Sequence, residues 1–230
     1  MKAVEKVLIF DSSSLISLSL NGFFPELKEL KKLFGGHFII PEDVKKEVMD
    51  NPLNVKKFEL EALRLKELMN EGILELPSAI GISDKQINPI TNEMMSKANN
   101  MFKTPQGNIK MIHDGETACM ALGRILENKK IEFAICIDER NTRMLIENPE
   151  AMKELFERKM QTTVKLEKNN FAFFKGFKVI RSTELMYLAW KKGLVKTKAN
   201  GKLLDAILYG LKLNGCSITD GEIEEMKKMK

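Results

Sequence analysis

Two apolar runs in this chain end in aspartate: Val7-Leu8-Ile9-Phe10 leads into Asp11, and Phe133-Ala134-Ile135-Cys136-Ile137 leads into Asp138. Such short runs suit buried strands of a parallel sheet, and ligands of open α/β sheets bind outside the carboxyl ends of the strands. An aspartate between a strand and a helix also serves as an N-cap, so either residue has a structural alternative. Glu47 follows Val44 by three residues and stands beside Val48, which places it at the edge of a core-facing helical stripe. Simple exposure at that edge is its other role. In His113-Asp114-Gly115-Glu116-Thr117-Ala118, the two acids lie about 200° apart around a helix and cannot point the same way. Asp114 is expected to cap, accepting from the amides of Glu116 or Thr117. Glu116, inside the first turn of a nearly all-apolar helix, is the better ligand candidate, its alternative being a first-turn acid favoured by the helix dipole. With three scattered cysteines and two histidines, any metal held here must be held mainly by oxygen.

These residues need elements to position them. Ser12, Ser13 and Ser14 offer N-caps for a short helix after the first strand. Leu27, Leu30, Leu33 and Phe34 recur at helical spacing, Gly35-Gly36 stops that helix, and residues 37–40 read as a second strand ending at Pro41. A helix is expected over 41–49, and an amphipathic one using Phe58, Leu60, Leu63, Leu65 and Leu68 follows. Residues 73–76 alternate like a half-buried strand. Residues from about 77 to 112 hold Pro89, Pro105 and Gly107 and lack a strong period. They read as a surface insertion with one helix near 92–102, and a second insertion covers about 149–175. After Asp138 the pattern predicts helices from about 139 and over 149–160, a hairpin through 164–174, a strand over 177–180, and helices over 183–191 and 203–213. One domain spanning 1–230 is expected. The alternation of strand and helix points to a three-layer α/β/α sandwich with a mostly parallel central sheet.

The chain has 230 residues and a formal charge of +5, carried by dispersed lysine pairs such as Lys56/Lys57 and Lys191/Lys192. That balance favours polyanionic partners, although single lysine pairs are ordinarily solvated. No apolar run approaches the roughly 18 residues of a membrane span. Asp11 arrives before a signal-peptide apolar region can develop, so a cytoplasmic protein is expected.

FDSSSLISLS, then FIIPEDVKKEV, then HDGETACMALG, then CIDERNTR, in that order and spacing, resemble the PIN domain family of metal-dependent ribonucleases. VIRSTELMYLAWKKGLV resembles the late strand, small-polar turn and helix of the branch related to toxin–antitoxin nucleases. The resemblance covers about 7–72 and 113–225, with interruptions. It implies an acidic site in which Asp11 matches the first-strand aspartate, Glu47 the helix glutamate, Glu116 the acid of the Gly-Glu helix and Asp138 the later strand-end aspartate. Ser13 matches a small polar position near the first acid. Many relatives carry aspartate where Glu116 stands, so Asp114 remains a candidate for that role or for a fifth ligand. Converging carboxylates repel one another unless divalent cations neutralise them. Mg²⁺ or Mn²⁺ is therefore the implied cofactor and hydrolysis of RNA the implied reaction. An antitoxin or other protein partner and a homodimer fit the same family. The rival is a non-catalytic PIN-like module that binds RNA or protein within a larger assembly.

Other motifs fail. There is no P-loop, G-x-G-x-x-G, H-E-x-x-H or G-x-S-x-G, and an aspartyl phosphatase would need its second aspartate where Ser13 stands. Arg140 and Arg143 are candidates for RNA phosphate contacts, with a local salt bridge as the preferred role. Phe171, Phe173 and Phe174 are expected to pack on the core rather than stack bases. Tyr187 and Trp190 are assigned to the core.

Overall fold

A computed structural model describes residues 6–197 and 201–229; the N-terminal reading above includes residues 1–5, which lie outside the described residues. Four parallel strands form the main sheet: β1 (Lys6–Phe10), β2 (His37–Ile39), β5 (Glu132–Cys136) and β7 (Val179–Ile180), in the order β2-β1-β5-β7. The chain runs from β1 outward to β2, then crosses back to pair β5 on the other side of β1. That reversal makes the carboxyl ends of β1 and β5 the topological switch point, where open α/β sheets form their crevice. The pairing sets Phe10 beside Cys136, and the Asp11 N–H continues the ladder to the Cys136 carbonyl at 3.0 Å. The buried Ser14 hydroxyl adds a staple, donating toward the Asp11 and Cys136 carbonyls at 2.8 and 3.0 Å.

Between β1 and β2 lie α1 (Ser12–Leu20) and α2 (Phe24–Phe34), the latter ended by Gly35 at φ 63°, a left-handed cap that glycine adopts without cost. After β2 come α3 (Glu42–Lys45), a π-helical turn (Lys46–Asp50) and α4 (Glu59–Asn70). The helix expected over 41–49 is therefore only partly α-helical. Phe58, Leu60 and Leu63, expected in the apolar stripe of α4, are 46%, 55% and 49% exposed; Leu65 and Leu68 face the core as expected, joined by Ala62. Every third residue from 62 meets the core, and the extra leucines blurred the phase. Residues 73–76 form no full strand, contributing one parallel bridge between Ile39 and Glu75.

The segment over 77–112 is more helical than expected: α5 (Asp84–Asn99) opens on a Ser83/Gln86 capping box and runs through Pro89. Its own packing against α6 (Asp114–Asn128) outweighs the proline. Beyond it, β3 (Phe102–Thr104) and β4 (Gly107–Asn108) form an antiparallel ribbon. After β5 come α7 (Arg140–Glu147), α8 (Pro149–Met160) and β6 (Lys165–Leu166). The hairpin expected over 164–174 is absent. β6 instead pairs with β3, residues 168–173 form a 3-10 turn, and Phe102 meets Phe156 edge to face. The two segments read as separate insertions thus share one small sheet. Finally α9 (Ser182–Lys191), α10 (Leu203–Leu213) and α11 (Asp220–Lys228) follow β7; α11 had no counterpart in the sequence reading.

α6 is buried along nearly its whole length and packs on β1 and β5, with α3 and α5 against it; α9 packs on α1, α2 and α10. This grouping is that of an α/β fold with helices about a parallel sheet, consistent with three layers. Phe174 is buried and Phe171 and Phe173 are half-buried against the core, as expected. Tyr187 and Trp190 are half-buried, packed against the edge of the core with their rings 5.9 Å apart, and the Tyr187 hydroxyl donates to the Met229 carbonyl. Among the described residues no helix is long and apolar enough to cross a membrane.

Candidate acidic site

Asp11 is fully buried at the end of β1, and it is the N-cap of α1. Its Oδ2 accepts from the Ser13 N–H at 3.0 Å and from the Ser13 hydroxyl at 2.5 Å. The capping alternative weighed for this residue is thus realised, and the serine helix is capped by Asp11 rather than by one of its serines. The Ser13 hydroxyl in turn accepts from the Asp138 N–H at 3.0 Å, so one serine joins the two strand ends.

Glu47 stands in the π-helical turn, where one extra residue per turn rotates it away from the phase of α3. Such turns occur often at functional sites. Its Oε1 accepts from the Gly115 N–H at 3.2 Å, one of the free donors at the start of α6. Glu47 also borders a groove of about 240 Å³ lined by Ile16, Leu20, Val48, Phe58 and Leu65.

Glu116 is buried in the first turn of α6, its Oε2 accepting from the His113 N–H at 3.3 Å. His113, not Asp114, is the N-cap; Asp114 is the first helical residue and is exposed, so the capping role expected for it is corrected. A cap has extended backbone, and here the extended residue is His113.

The electrostatics tie three of the acids together. Burial raises Asp11 to about 6, with the Glu47 charge adding to it and the Ser13 hydrogen bonds opposing it. Burial raises Glu116 to about 8, with the Asp11 and Glu139 charges adding to it. Cys119, buried behind them with its thiol toward the Phe10 carbonyl, is pushed well up by burial and by Asp11, Glu47 and Glu116. The sequence reading missed Glu139, which caps α7 through the Thr142 N–H at 2.8 Å while repelling Glu116.

Asp138 is placed differently. Its Oδ1 accepts from the Ser182 N–H at 2.7 Å and its Oδ2 from the Ser182 hydroxyl at 2.6 Å, all of them buried. The carboxylate thus sits on the amino end of α9. The surrounding scaffold is polar: the Asp138 carbonyl accepts from the Ser217 N–H, and the Ser217 carbonyl accepts from Arg143 and Arg181 at 3.1 and 3.2 Å. Arg181 also pairs with Glu184 and Glu222, clamping α11 to this corner. Ser182 and Arg181 were not singled out from the sequence, and a serine after an arginine gives no periodic signal.

Arg143 is spent within the protein, on Ser217 and on Glu147 at 3.5 Å, which is the local role preferred for it. Arg140 is exposed at the start of α7. Asp11, Glu47 and Glu116 supply only oxygen donors, the type a hard divalent cation takes. Among the described residues no three His, Cys, Asp or Glu side chains close into a ready-made metal cage. Compared with family models, with curated proteins and with solved structures, the chain matches none.

Proposed function

We propose that this chain is a PIN-like, Mg²⁺- or Mn²⁺-dependent ribonuclease of the cytoplasm, working at the carboxyl end of the sheet. The observation that carries this is the burial of two carboxylates side by side with a third: Asp11 and Glu116 are raised chiefly by burial, Asp11 further by the charge of the half-buried Glu47 and Glu116 further by that of Asp11. Carboxylates buried this way are costly to keep, and a cation placed beside them would offset the cost. Asp11, Glu47 and Glu116 would hold the metal; Asp114 lies at the exposed rim, and Asp138 would act from its seat on α9. When bound, the cation supplies Lewis acidity toward a phosphodiester oxygen and a lowered pKa for water. The chain's own residues orient and exchange protons. Ser13 fixes the Asp11 carboxylate and ties it to the Asp138 backbone. The amino end of α6 holds Glu47 through Gly115. Glu116, raised to about 8 by burial and by the Asp11 charge, would have to give up its proton to serve as a ligand to a cation. Arg140, exposed beside the site, is the available arginine for a substrate phosphate.

A second reading, a non-catalytic PIN-like module binding RNA or a protein partner such as an antitoxin, is favoured by one observation: Asp138 is fully engaged by Ser182. Cleavage of end-labelled RNA by purified protein decides between them. Activity that requires Mg²⁺ or Mn²⁺, stops with chelator and is lost in Asp11→Asn supports the enzyme. Activity undiminished in Asp11→Asn overturns this mechanism, and wild-type inactivity with both metals favours the module.

A further inference from the structure

The small sheet built from the two inserted segments carries a charge pattern that folding alone does not explain. Lys103 of β3 is in direct register with Lys165 of β6 on one side and with Asn108 of β4 on the other. Cross-strand partners share a face, so these three residues form one row over two strand spacings, about 10 Å. The opposite face is the packed one: Phe102 is buried and its partner Leu166 half-buried, while Lys103, Asn108 and Lys165 are exposed. Lys110, two residues beyond Asn108 and just past the end of β4, is also exposed.

Like charges directly opposite each other destabilise a ladder. Among the described residues Lys103, Lys110 and Lys165 make no ion pair, and Glu167, two residues past Lys165, forms none with them. Nearby lysines are neutralised instead: Lys168 pairs with Glu150 at 2.6 Å and Lys153 with Glu157 at 3.4 Å. The two segments, 77–112 and 149–175, hold ten Lys and Arg against six Asp and Glu, and so carry most of the chain's surplus of +5.

The row is also tied to the acidic site. Lys110 lies four residues before Asp114, so its backbone is within about 14 Å of the start of α6. The Met111 N–H is held by Asn99 at 2.9 Å, and α5 packs along α6, which fixes the ribbon against the helix that bears Glu116.

We propose that the Lys103–Lys165 row, extended by Lys110, docks the phosphate backbone of RNA beside the acidic site, without base specificity. Ammonium groups spaced along a sheet, with no apolar or aromatic residue among them, suit a run of phosphates; protein hot spots and membrane-inserting surfaces need apolar anchors. The proposal rests on the ribonuclease reading for its substrate class, but not for the binding itself.

The test measures binding of a fluorescein-labelled uridine dodecamer to the full chain in EDTA, over a range of salt. The double variant Lys103→Ala/Lys165→Ala should weaken binding about 25-fold at 0.1 M salt and reduce the log–log salt slope by about 1.4, at roughly 0.7 per phosphate contact. Lys103→Glu should raise the melting temperature, by turning repulsion into an ion pair, and still weaken binding. A Lys103→Glu variant that changes stability and leaves RNA binding intact overturns the proposal, because the pair is then structural only. So does a double variant that loses binding to phosphatidylserine-containing vesicles with RNA binding unchanged. Cleavage in Mn²⁺ separates the two levels. Wild-type protein that binds the dodecamer through these lysines but cleaves nothing sinks the ribonuclease reading and leaves the docking surface standing. Equal binding and cleavage of the dodecamer with and without the lysines sinks the docking surface and leaves the ribonuclease standing.

Discussion

Gly115 gives its N–H to one oxygen of Glu47, and a methyl group added at Gly115 would stand 2.6 Å from the other. The glycine is required by contact rather than by its backbone, which is helical. Glu47 sits at the end of a flexible side chain, so Gly115→Ala should displace the carboxylate while leaving the helix intact. Alanine is favoured over glycine in helices by roughly 1 kcal/mol. Gly115→Ala is therefore expected to leave stability unchanged or slightly raised, and to reduce Mn²⁺ affinity as far as Glu47→Gln does. Calorimetric titration of both variants checks this; full Mn²⁺ affinity in Gly115→Ala would show that Glu47 holds no metal in that position.

Stability without metal should fall as pH rises. Asp11 is raised from 3.8 to about 6 and Glu116 from 4.5 to about 8, so between pH 4 and 8 the folded chain binds more protons than the unfolded one. Their contribution is complete below pH 4 and is lost as pH climbs through 6 and then 8. The lowered Glu222 works in the other direction but only on the acid side, below about pH 4.5. Melting curves in EDTA should show a decline from pH 5 to 8 that millimolar Mn²⁺ abolishes. A flat or rising profile in EDTA contradicts the clustered-acid picture.

The strand ends were legible because a four- or five-residue apolar run that stops at Asp11 or Asp138 leaves few alternatives. α8 and α10 were equally legible from their spacing. What the sequence concealed was long-range. Nothing local tells that β6 pairs with β3 across some sixty residues, or that α5 tolerates Pro89 because α6 supports it. The candidate site divides the same way. Asp11 and Glu116 could be named as candidates from position and Glu47 with the help of the resemblance, but the seat of Asp138 on Ser182 depends on where α9 begins, and the cap at His113 rather than Asp114 depends on one residue of backbone conformation.

Asp138 should behave unlike Asp11 under mutation. Asp138→Ala leaves the buried Ser182 N–H and hydroxyl without their acceptor, at a cost of about 1–3 kcal/mol per group. Asp138→Asn keeps an acceptor for the N–H, and the serine hydroxyl can turn to accept from the amide, so much of the stability should return. Asp11→Asn relieves repulsion and should raise the metal-free melting temperature at pH 8. Urea unfolding in EDTA compares the three. A metal-free Asp138→Ala that is more stable than wild type would place its carboxylate in the repelling cluster rather than on α9.

Glu116 and Asp114 can be told apart by combining stability with metal binding. Glu116 accepts from the His113 N–H as the third residue of the helix, and glutamine serves that position as well as glutamate does. Glu116→Gln therefore keeps the cap, removes a charge that Asp11 and Glu139 oppose, and should raise the metal-free melting temperature at pH 8 or above while weakening Mn²⁺ binding. Asp114 is exposed at the first helical position and caps nothing, so Asp114→Ala forfeits only its favourable place at the positive end of the helix, about 0.3–1 kcal/mol. Its Mn²⁺ affinity should match wild type. Titration and thermal melting of the two variants side by side give four readings. Weakened Mn²⁺ binding in Asp114→Ala alone would move the ligand to Asp114, and unchanged binding in both would remove α6 from the metal site and favour the non-catalytic module.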